Sequence, residues 1–309
     1  MQDNTPEISL AGQILREGGL VAFPTETVYG LGGDATNDTA VARIFEAKGR
    51  PQFNPLISHV VDAAAAFALG VFTPQARKLA DAFWPGPLTI VVPRSANCPV
   101  SLLASAGLPS IALRVPSHPV AQNLLREFGK PIAAPSANAS GKISPTTAAH
   151  VRQSLGNKVD LILDGGPSRV GLESSVVSFL GATPQLLRPG GLSRQALEEC
   201  LGLTLANPTS GPLHSPGQLQ SHYAPRASLR LNATAPQEGE IFLGFGGVSH
   251  GPHTLSASGN VSEAAANLFR LLHELDAGGA TRIAVAPITD HGLGEAINDR
   301  LTRAAASRP

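Results

Sequence analysis

The sequence FPTETVYGLG at residues 23–32, followed by KGRPQFNPLISH at residues 48–59, is the most informative part of this chain. Together the two segments supply five polar side chains of the kinds that hold anionic ligands: Thr25, Lys48, Arg50, Asn54 and His59. The first segment follows an apolar run, and polar groups where a strand ends are the usual ligand position in open α/β sheets. The two segments therefore predict an α/β fold with an anion site.

Composition limits the classes of protein that the chain of 309 residues can belong to. Apolar residues make up 42% of it, which is enough for sizeable cores, and 23 basic residues balance 23 acidic ones. A general nucleic-acid surface would be basic, so an anion site here has to be a local pocket. The 32 glycines and 26 prolines favour tight turns between short elements over a helical bundle.

The sequence also bears on the compartment. Cys98 and Cys200 form neither a metal-ligand spacing nor a disulfide framework, which suits a reducing environment. The N-terminus lacks the basic start and apolar core of a secretory signal. The longest apolar tract, residues 56–72, is too short and too polar to span a bilayer. We expect a cytoplasmic protein that makes no membrane contact.

Short apolar runs alternate with helical patterns in the first two thirds of the chain. The runs predict strands at residues 20–23, 56–60, 88–92, 110–115, 131–134, 159–163 and 175–179. Between them, residues 39–47 predict a helix with Asp38 as N-cap, and Pro74 and Pro145 are each typical of a first helical residue. This alternation predicts an α/β catalytic domain over residues 1–204.

The texture of the sequence changes near residue 202. Residues 205–226 hold four prolines and almost no apolar periodicity, so they predict a linker or lid. Beyond it, residues 227–309 predict a second domain, small and Rossmann-like. Its expected strands lie at residues 228–231, 240–245 and 281–286. Its expected helices are one that begins after Asn260 and one at residues 294–306.

A second polar motif, AAPSANASGKISPT at residues 133–146, ends a predicted strand in small residues that let the backbone approach a ligand. Hydroxyls at Ser136 and Ser144 and the amide of Asn138 follow. The loop is expected to enter a helix at Ser144-Pro145, and a helix N-terminus binds anions readily. A plain turn-forming loop is the alternative.

Several candidate residues keep an ordinary structural alternative. Arg114 lies inside an apolar strand, so it must be ion-paired or face a cavity that takes a carboxylate ligand. Lys48 and Arg50 could simply complement the end of a helix, and His59 could be a structural histidine. Because the sequence shows no paired carboxylates, no Ser–His–Asp set and no metal-ligand spacing, it predicts a scaffold that aligns ligands rather than a hydrolase.

Taken together, the motifs resemble the YrdC-like threonylcarbamoyl-AMP synthases over roughly residues 8–200. The segment SPGQLQSHYAP at residues 215–225 and the C-terminal region resemble the longer, two-domain branch of that family. The resemblance implies a twisted mixed sheet with a deep cavity. It also implies condensation of L-threonine, bicarbonate and ATP to threonylcarbamoyl-AMP and pyrophosphate.

The resemblance further implies partners and ligands. Mg²⁺ would be held mainly by the ATP phosphates and water, with no metal ligand from the chain itself. A downstream tRNA threonylcarbamoyl transferase would receive the adenylate and modify the adenosine next to the anticodon, so contact with tRNA would be indirect. The family's linker usually carries basic and aromatic residues where this chain has Gln218–Ser221, which puts the details of lid closure in question.

By the same resemblance, site residues can be carried over to this chain. Those expected around L-threonine are Thr25, His59, Arg114, the backbone of Ala134, and Ser174. Those expected to hold ATP are Lys48, Arg50, Asn54, Ser110, Ser136, Asn138, Ser144, Arg188 and Tyr223. The residues expected to act in catalysis are Lys48, Arg50, Ser136 and Asn138.

Three alternatives stay open from the sequence. The first is an RNA-binding module, which the zero net charge disfavours. The second is a nucleotide-binding regulatory module without turnover. The third is a carbamoyl-adenylating domain like that of hydrogenase maturation factors, which are longer chains with segments that this one lacks.

Overall fold

A computed structural model describes residues 5–51, 54–208 and 222–306 of the chain. Gln218–Ser221 and much of the predicted linker therefore lie outside the described residues. The strands of the first domain are β1 (Val21–Phe23), β2 (Gly30–Asp34), β3 (Ile57–His59), β4 (Leu88–Pro93), β5 (Ser110–Arg114), β6 (Ile132–Ala133), β7 (Leu161–Ile162), β8 (Ser175–Ser178) and β9 (Gln185–Arg188). Its helices are α1 (Thr5–Arg16), α2 (Asp38–Lys48), α3 (Ala63–Leu69), α4 (Pro74–Phe83), α5 (Pro119–Phe128), α6 (Ala148–Leu155) and α7 (Arg194–Leu201).

The nine strands form one sheet in the order β7-β1-β2-β6-β3-β5-β4-β8-β9. The pairs β1/β7, β3/β5 and β4/β8 are parallel and the others are antiparallel. The predicted mixed α/β sheet is therefore confirmed. Its most buried strands, such as β4 and β5, are the continuous apolar runs that the sequence shows most clearly, as expected where both faces of a sheet are covered.

Strand β2 was not predicted because its sequence, Gly-Leu-Gly-Gly-Asp, has little intrinsic strand preference. Its glycines are required by packing. A Cβ atom on Gly32 would lie only 2.8 Å from the ring of Phe23 and 2.9 Å from Ile132. The ring of Phe23 thus fills the space that a side chain on β2 would occupy.

Two predicted helix starts are wrong. The N-cap of α2 is Asn37 rather than Asp38, because the Asn37 side chain accepts hydrogen bonds from the N–H groups of the two residues that follow Asp38. Helix α6 begins at Ala148, capped by Thr147, and not at Pro145. The Pro145 carbonyl instead accepts a hydrogen bond from the Tyr29 N–H at 2.8 Å, which holds this segment extended against the turn after β1.

The C-terminal region forms a second, small α/β unit. Strands β10 (Ser228–Arg230), β11 (Ile241–Leu243) and β12 (Arg282–Val285) lie in the order β10-β12-β11, all parallel. Helices α8 (Val261–Ala277) and α9 (Gly294–Ala305) complete the unit. Its predicted strands and helices are present. Among the described residues, none of the helices combines the length and the apolar character needed to cross a bilayer.

The hydrophobic core of the C-terminal unit does not stop at the domain boundary. It includes Val28, Ile143 and Leu172 of the first domain, and Tyr223 of the linker. The first domain has separate cores of its own, one under the sheet and one beneath α1 and α5. The two domains therefore share a packed apolar junction, which lies directly beside the polar motifs.

Candidate functional site

A polar cavity lies where the strand ends and following turns of the first domain meet the linker. Nine of the residues predicted from the sequence line it: Thr25, Arg50, His59, Arg114, Ala134, Ser136, Ser174, Arg188 and Tyr223. The structure thus gathers side chains from positions 25 to 223 around one space, although the sequence separates them into several motifs. As the chain is folded here, the volume of this space is only about 40 Å³.

The turn after β1 is organised by the hydroxyl of Thr25. Its Oγ1 accepts the N–H groups of Thr27 and Val28 at 3.2 and 3.3 Å and lies 2.7 Å from both the Thr27 hydroxyl and the Val28 carbonyl. This turn puts Glu26 beneath the cavity. The segment that follows β1 is therefore held by hydrogen bonds within its own turn.

Arg114, a charge inside a strand, is both ion-paired and in contact with the cavity. It lines the cavity, and its Nη2 donates to Glu26 Oε1 at 2.8 Å and to the Thr27 hydroxyl at 2.9 Å. Burial alone would raise the pKa of Glu26, but the charge and hydrogen bonds of Arg114 outweigh it and lower the pKa below its usual value. The pair stays ionised, so Arg114 is held in place before any ligand arrives.

His59 lines the same side of the cavity at the end of β3. Burial and the neighbouring charge of Arg114 lower its pKa to about 3, so the imidazole is neutral at ordinary pH. Its Nδ1 is buried without a hydrogen-bond partner among the described residues. The ring therefore adds no charge and leaves one ring nitrogen for a ligand.

The cations Lys48 and Arg50 lie where α2 ends, on either side of a left-handed C-cap at Gly49. Lys48 is buried and its Nζ donates to the carbonyls of Ser136, at 2.6 Å, and of Asn138. Arg50 donates to the carbonyls of Asn54 and Pro55 at 3.2–3.4 Å. The structure thus brings together three motifs that are up to 90 positions apart.

Neither Lys48 nor Arg50 forms an ion pair among the described residues. Burial and the charge of Arg50 lower the pKa of Lys48 well below its usual value. Burial also lowers the pKa of Arg50 to about 10, with Tyr223 opposing that shift and Arg188 adding to it. Cations that meet only carbonyl dipoles in a dry site create a positive potential, which an anionic ligand would neutralise.

Arg188 and Ser174 support each other on the far wall. Arg188 donates to the Ser174 carbonyl from Nε at 3.1 Å and from Nη2 at 2.9 Å, and to the Ser174 hydroxyl at 3.1 Å. That hydroxyl also lies 2.8 Å from the Thr89 hydroxyl. Thr89 is thus a supporting residue of the site that sequence reasoning did not identify.

Five predicted residues do not line the cavity: Lys48, Asn54, Ser110, Asn138 and Ser144. Lys48 and Asn138 lie directly behind the wall through their contacts with Ser136. The Asn54 side chain is buried and neither of its polar atoms has a partner among the described residues. Ser110 begins β5, at the opposite end of that strand from Arg114. Its predicted contact with ATP stays a prediction.

Sequence reasoning missed Glu173 and His222, which also line the cavity. The Glu173 carboxylate accepts a hydrogen bond from the Ser144 hydroxyl and, at 2.8 Å, one from Arg300 on α9. The signal was present in the sequence, because Glu173 directly precedes Ser174. Its partner, however, lies 127 positions further along the chain. Burial lowers the pKa of His222 to about 3.

Tyr223 closes the cavity from the linker side. It is buried, its backbone adopts a positive φ of 62°, and its ring stacks on Phe269 with centroids 5.6 Å apart. Its hydroxyl is buried without a partner among the described residues. Within the part of the chain that is described, no group of three or more His, Cys, Asp or Glu side chains could hold a metal ion.

Comparison with known proteins agrees with this geometry. Residues 13–190 match a family model described as "Telomere recombination", and residues 192–306 match one described as "Threonylcarbamoyl-AMP synthase, C-terminal domain". Among solved structures, Sua5 of Pyrococcus abyssi in complex with L-threonine superposes with a TM-score of 0.89 at 38% identity, covering 97% of this chain and 94% of that one. Escherichia coli YciO matches 60% of this chain and 89% of its own, with a TM-score of 0.55 at 25% identity.

Curated relatives extend over the full length. The threonylcarbamoyl-AMP synthases of Pyrococcus abyssi and Bacillus subtilis are each 40% identical to this chain, covering 98% and 100% of it and 95% of their own lengths. A putative threonylcarbamoyl-AMP synthase of Mycobacterium tuberculosis is 42% identical over 65% of this chain and 91% of its own. The chain therefore belongs to the family of threonylcarbamoyl-AMP synthases, in its two-domain form.

Proposed function

We propose that the chain condenses L-threonine, bicarbonate and ATP to threonylcarbamoyl-AMP, pyrophosphate and water. The observation that carries this proposal is the pair of buried cations Lys48 and Arg50, which have no ion-pair partner among the described residues. Arg50 lines the cavity and Lys48 lies directly behind its wall on the Ser136 carbonyl, and hydroxyl and guanidinium side chains line the rest of the same space. A site of this kind can align a polyphosphate with a second, smaller ligand.

The threonine side of the site consists of Thr25, His59, Arg114, Ala134 and Ser174. Arg114, which Glu26 fixes in place, directs a guanidinium toward the amino-acid carboxylate. The hydroxyl-bearing side chains of Thr25 and Ser174 line this part of the cavity, where the threonine hydroxyl would lie. The Ala134 methyl group is small enough to let the backbone approach the ligand.

The ATP side consists of Lys48, Arg50, Asn54, Ser110, Ser136, Asn138, Ser144, Arg188 and Tyr223. In the reaction, the threonine amine takes up bicarbonate to form a carbamate and releases water. A carbamate oxygen then attacks the α-phosphorus of ATP, the bond to the β-phosphate oxygen breaks, and pyrophosphate leaves. Lys48, Arg50 and Arg188 would stabilise the charge that develops on the phosphoryl oxygens, and Ser136 and Asn138 would hold Lys48 in position.

Mg²⁺ is best treated as part of the substrate, MgATP. Among the described residues, Glu173 is the one carboxylate that lines the cavity, and Ser144 and Arg300 already occupy its oxygens. That donor set leaves the coordination of Mg²⁺ to phosphate oxygens and water. The ion would neutralise phosphate charge together with the three cations.

The product is a mixed anhydride that hydrolyses readily, so it has to reach an acceptor quickly. We propose a cytoplasmic tRNA threonylcarbamoyl transferase as the acceptor, with no direct contact between this chain and tRNA. The zero net charge of the chain favours this indirect route over an RNA-binding role.

Pyrophosphate release tests the proposed function. We expect release from ATP only when both L-threonine and bicarbonate are present. Lys48→Met should abolish it, whereas Lys130→Met, which removes a half-exposed cation paired with Asp34, should not. ATP binding by the wild-type chain without release of pyrophosphate would instead show a nucleotide-binding module without turnover.

Valine tests the assignment of the threonine side. It has nearly the shape of threonine but lacks the hydroxyl, and a buried site built around a hydroxyl rejects such an analogue strongly. We expect valine to release pyrophosphate at least about a hundredfold more slowly than threonine at equal concentration. Similar rates would mean that the hydroxyls of Thr25 and Ser174 do not face the substrate side chain.

A further inference from the structure

One side chain of the C-terminal domain reaches the edge of the catalytic cavity. Arg300, in the middle of α9, is among the largest fully buried side chains of the protein, and its side chain is only 1% exposed. Its Nε donates to Glu173 Oε2 at 2.8 Å and its Nη1 to Asp299 Oδ2 at 2.6 Å. A buried guanidinium must be paired, so these contacts fix its position.

The contact with Glu173 extends to a residue of the ATP side. The other carboxylate oxygen of Glu173 accepts the hydroxyl of Ser144. An ionised carboxylate can only accept hydrogen bonds, so the Ser144 hydroxyl must donate its one proton to Glu173. Ser144 is buried next to Glu173 and just outside the cavity lining, so its lone pairs are left for a ligand donor, such as a ribose hydroxyl, that reaches past the lining.

Arg300 also contacts the linker. The carbon at the centre of its guanidinium lies 5.0 Å from the centroid of the Tyr223 ring, within the range of a cation–π interaction. Glu173 and Tyr223 both line the cavity, whereas Arg300 does not. Arg300 thus lies behind two walls of the site that come from different parts of the chain.

We propose that Arg300 is a positioning residue of the active site, supplied by the C-terminal domain. It fixes Glu173 and Tyr223, and through Glu173 it orients the Ser144 hydroxyl for ATP. The proposal rests on the proposed function and deepens it, because it gives the C-terminal domain a part in ATP binding.

A purely structural role for Arg300 is the alternative. Buried ion pairs are weak evidence for stability, since desolvation offsets much of their attraction. Helix α9 is also held to the first domain by a second, partly exposed ion pair, in which Arg194 Nη2 lies 2.8 Å from Glu295 Oε1. Arg194 lies at the start of α7 and does not line the cavity, so it provides a matched control for domain attachment.

The test uses the full-length chain and the variants Arg300→Gln, Arg300→Lys and Arg194→Gln. We expect Arg300→Gln to raise the KM for ATP by about tenfold or more, the size of a lost hydrogen bond to a charged group. The KM for threonine should change much less. Arg300→Lys keeps the charge and should restore part of the ATP affinity, and Arg194→Gln should behave like the wild type.

A double-mutant comparison tests whether Arg300 acts through Glu173. If it does, Arg300→Gln combined with Glu173→Gln should be no worse for ATP than the more damaging single variant. Multiplied effects would mean that the two residues act separately, which would overturn the route through Glu173.

Two results would overturn the proposal as a whole. One is an Arg300→Gln variant with a lowered melting temperature but an unchanged KM for ATP. The other is an equal rise in KM for Arg194→Gln, which would reduce the effect to domain attachment. If Arg300→Gln does not fold, the KM for ATP and the melting temperature of Arg300→Lys are compared with those of the wild type and Arg194→Gln instead. Should the wild type release no pyrophosphate, the proposed function fails instead, and ATP affinity measured by calorimetry on the same variants still decides the role of Arg300.

Discussion

Arg114 is ion-paired and faces the cavity at the same time. Its partner Glu26 lies 88 positions away along the chain and reaches it through the turn set by Thr25. The sequence predicts that a charge inside the apolar run of β5 must be paired or face a cavity, but it does not identify the partner. Local chemistry was therefore predictable at this residue, and the identity of its partner was not.

The Glu26–Arg114 pair predicts a pH-dependent stability. The folded-state pKa of Glu26 is lowered, so its contribution is present above the unfolded pKa, near 4.5, and is lost as the pH falls through the lower folded value. Glu26→Gln leaves Arg114 buried without its carboxylate, which should cost about 3–5 kcal/mol at neutral pH. The difference from the wild type should shrink as the pH falls below 4.5.

Urea unfolding of both chains at neutral and acidic pH measures this difference. Glu127→Gln is the matched control, because it breaks the exposed pair with Arg16. That change should cost less than about 1 kcal/mol. A difference between wild type and Glu26→Gln that stays constant with pH would show that the carboxylate charge is not what stabilises Arg114.

Among the secondary-structure elements, continuous apolar runs predicted strands correctly, whereas the glycine-rich strand β2 was not predicted. Strands β3, β4, β5 and β8 lie where the sequence predicts them, since they are buried on both faces and read as continuous apolar runs. Strand β2 escaped prediction because its glycines are chosen by the packing of Phe23 and Ile132, which no local pattern records. The predicted start of α6 was too early. The Pro145 carbonyl accepts a hydrogen bond from the Tyr29 N–H, and a contact between residues so far apart cannot be predicted from local sequence.

Gly190, just after β9, is another glycine fixed by close packing. A Cβ atom there would lie 2.4 Å from both the carbonyl oxygen of Glu173 and the carbonyl carbon of Ser174. Gly190→Ala must push that segment, which carries two cavity residues, out of place. We expect a loss of about 1–3 kcal/mol in unfolding free energy together with a lower rate of pyrophosphate release.

Gly247→Ala serves as the control for Gly190→Ala. A Cβ atom on Gly247 would meet no other atom within 4 Å. Its stability and activity should match the wild type or exceed it slightly. Both quantities can be read from urea midpoints and initial rates on the same preparations. If the two variants lose stability equally, the close approach of Gly190 is not what constrains the segment.

The buried hydroxyl of Tyr223 leads to a prediction about the linker. Its hydroxyl lacks a partner among the described residues and borders the cavity, and an unsatisfied buried hydroxyl costs stability. Tyr223→Phe should therefore keep or raise the melting temperature while weakening ATP binding severalfold. Tyr223→Ala should also lose the ring contacts with Phe269 and Arg300 and yield less intact adenylate per pyrophosphate released.

The measurements for Tyr223 are the melting temperature, the KM for ATP and the ratio of adenylate to pyrophosphate. Tyr223→Phe that binds ATP as the wild type does would show that the hydroxyl does not reach the nucleotide. An unchanged product ratio in Tyr223→Ala would show that the linker does not shield the adenylate from water.

At the scale of the whole molecule, the two domains and their order along the chain were predictable from composition and from two runs of alternating patterns. The junction was not. Val28, Ile143 and Leu172 appear in the sequence as ordinary apolar residues of the first domain, yet they belong to the core of the second. Arg300 appears as one charge on an amphipathic helix, and only folding shows that it is buried.

The apolar junction between the two domains predicts the effect of truncating the chain after Leu203. The first domain keeps its own cores except for Leu205, and YciO, which matches 60% of this chain, shows that this fold exists without the second domain. The truncated chain should stay folded but melt at a lower temperature, since it exposes three apolar side chains and leaves Glu173 without Arg300. Circular dichroism and ATP calorimetry measure both effects, and full ATP affinity after truncation would contradict the shared site.

The small volume of the cavity, about 40 Å³, bears on the rate at which ATP can bind. Ligand pockets commonly measure several hundred cubic ångströms, so we expect Tyr223 and its neighbours to move apart before ATP binds. The rate of that opening would then set a ceiling on how fast ATP can associate. In stopped-flow mixing, the observed association rate should level off as the ATP concentration rises, where an always-open site would show a straight line.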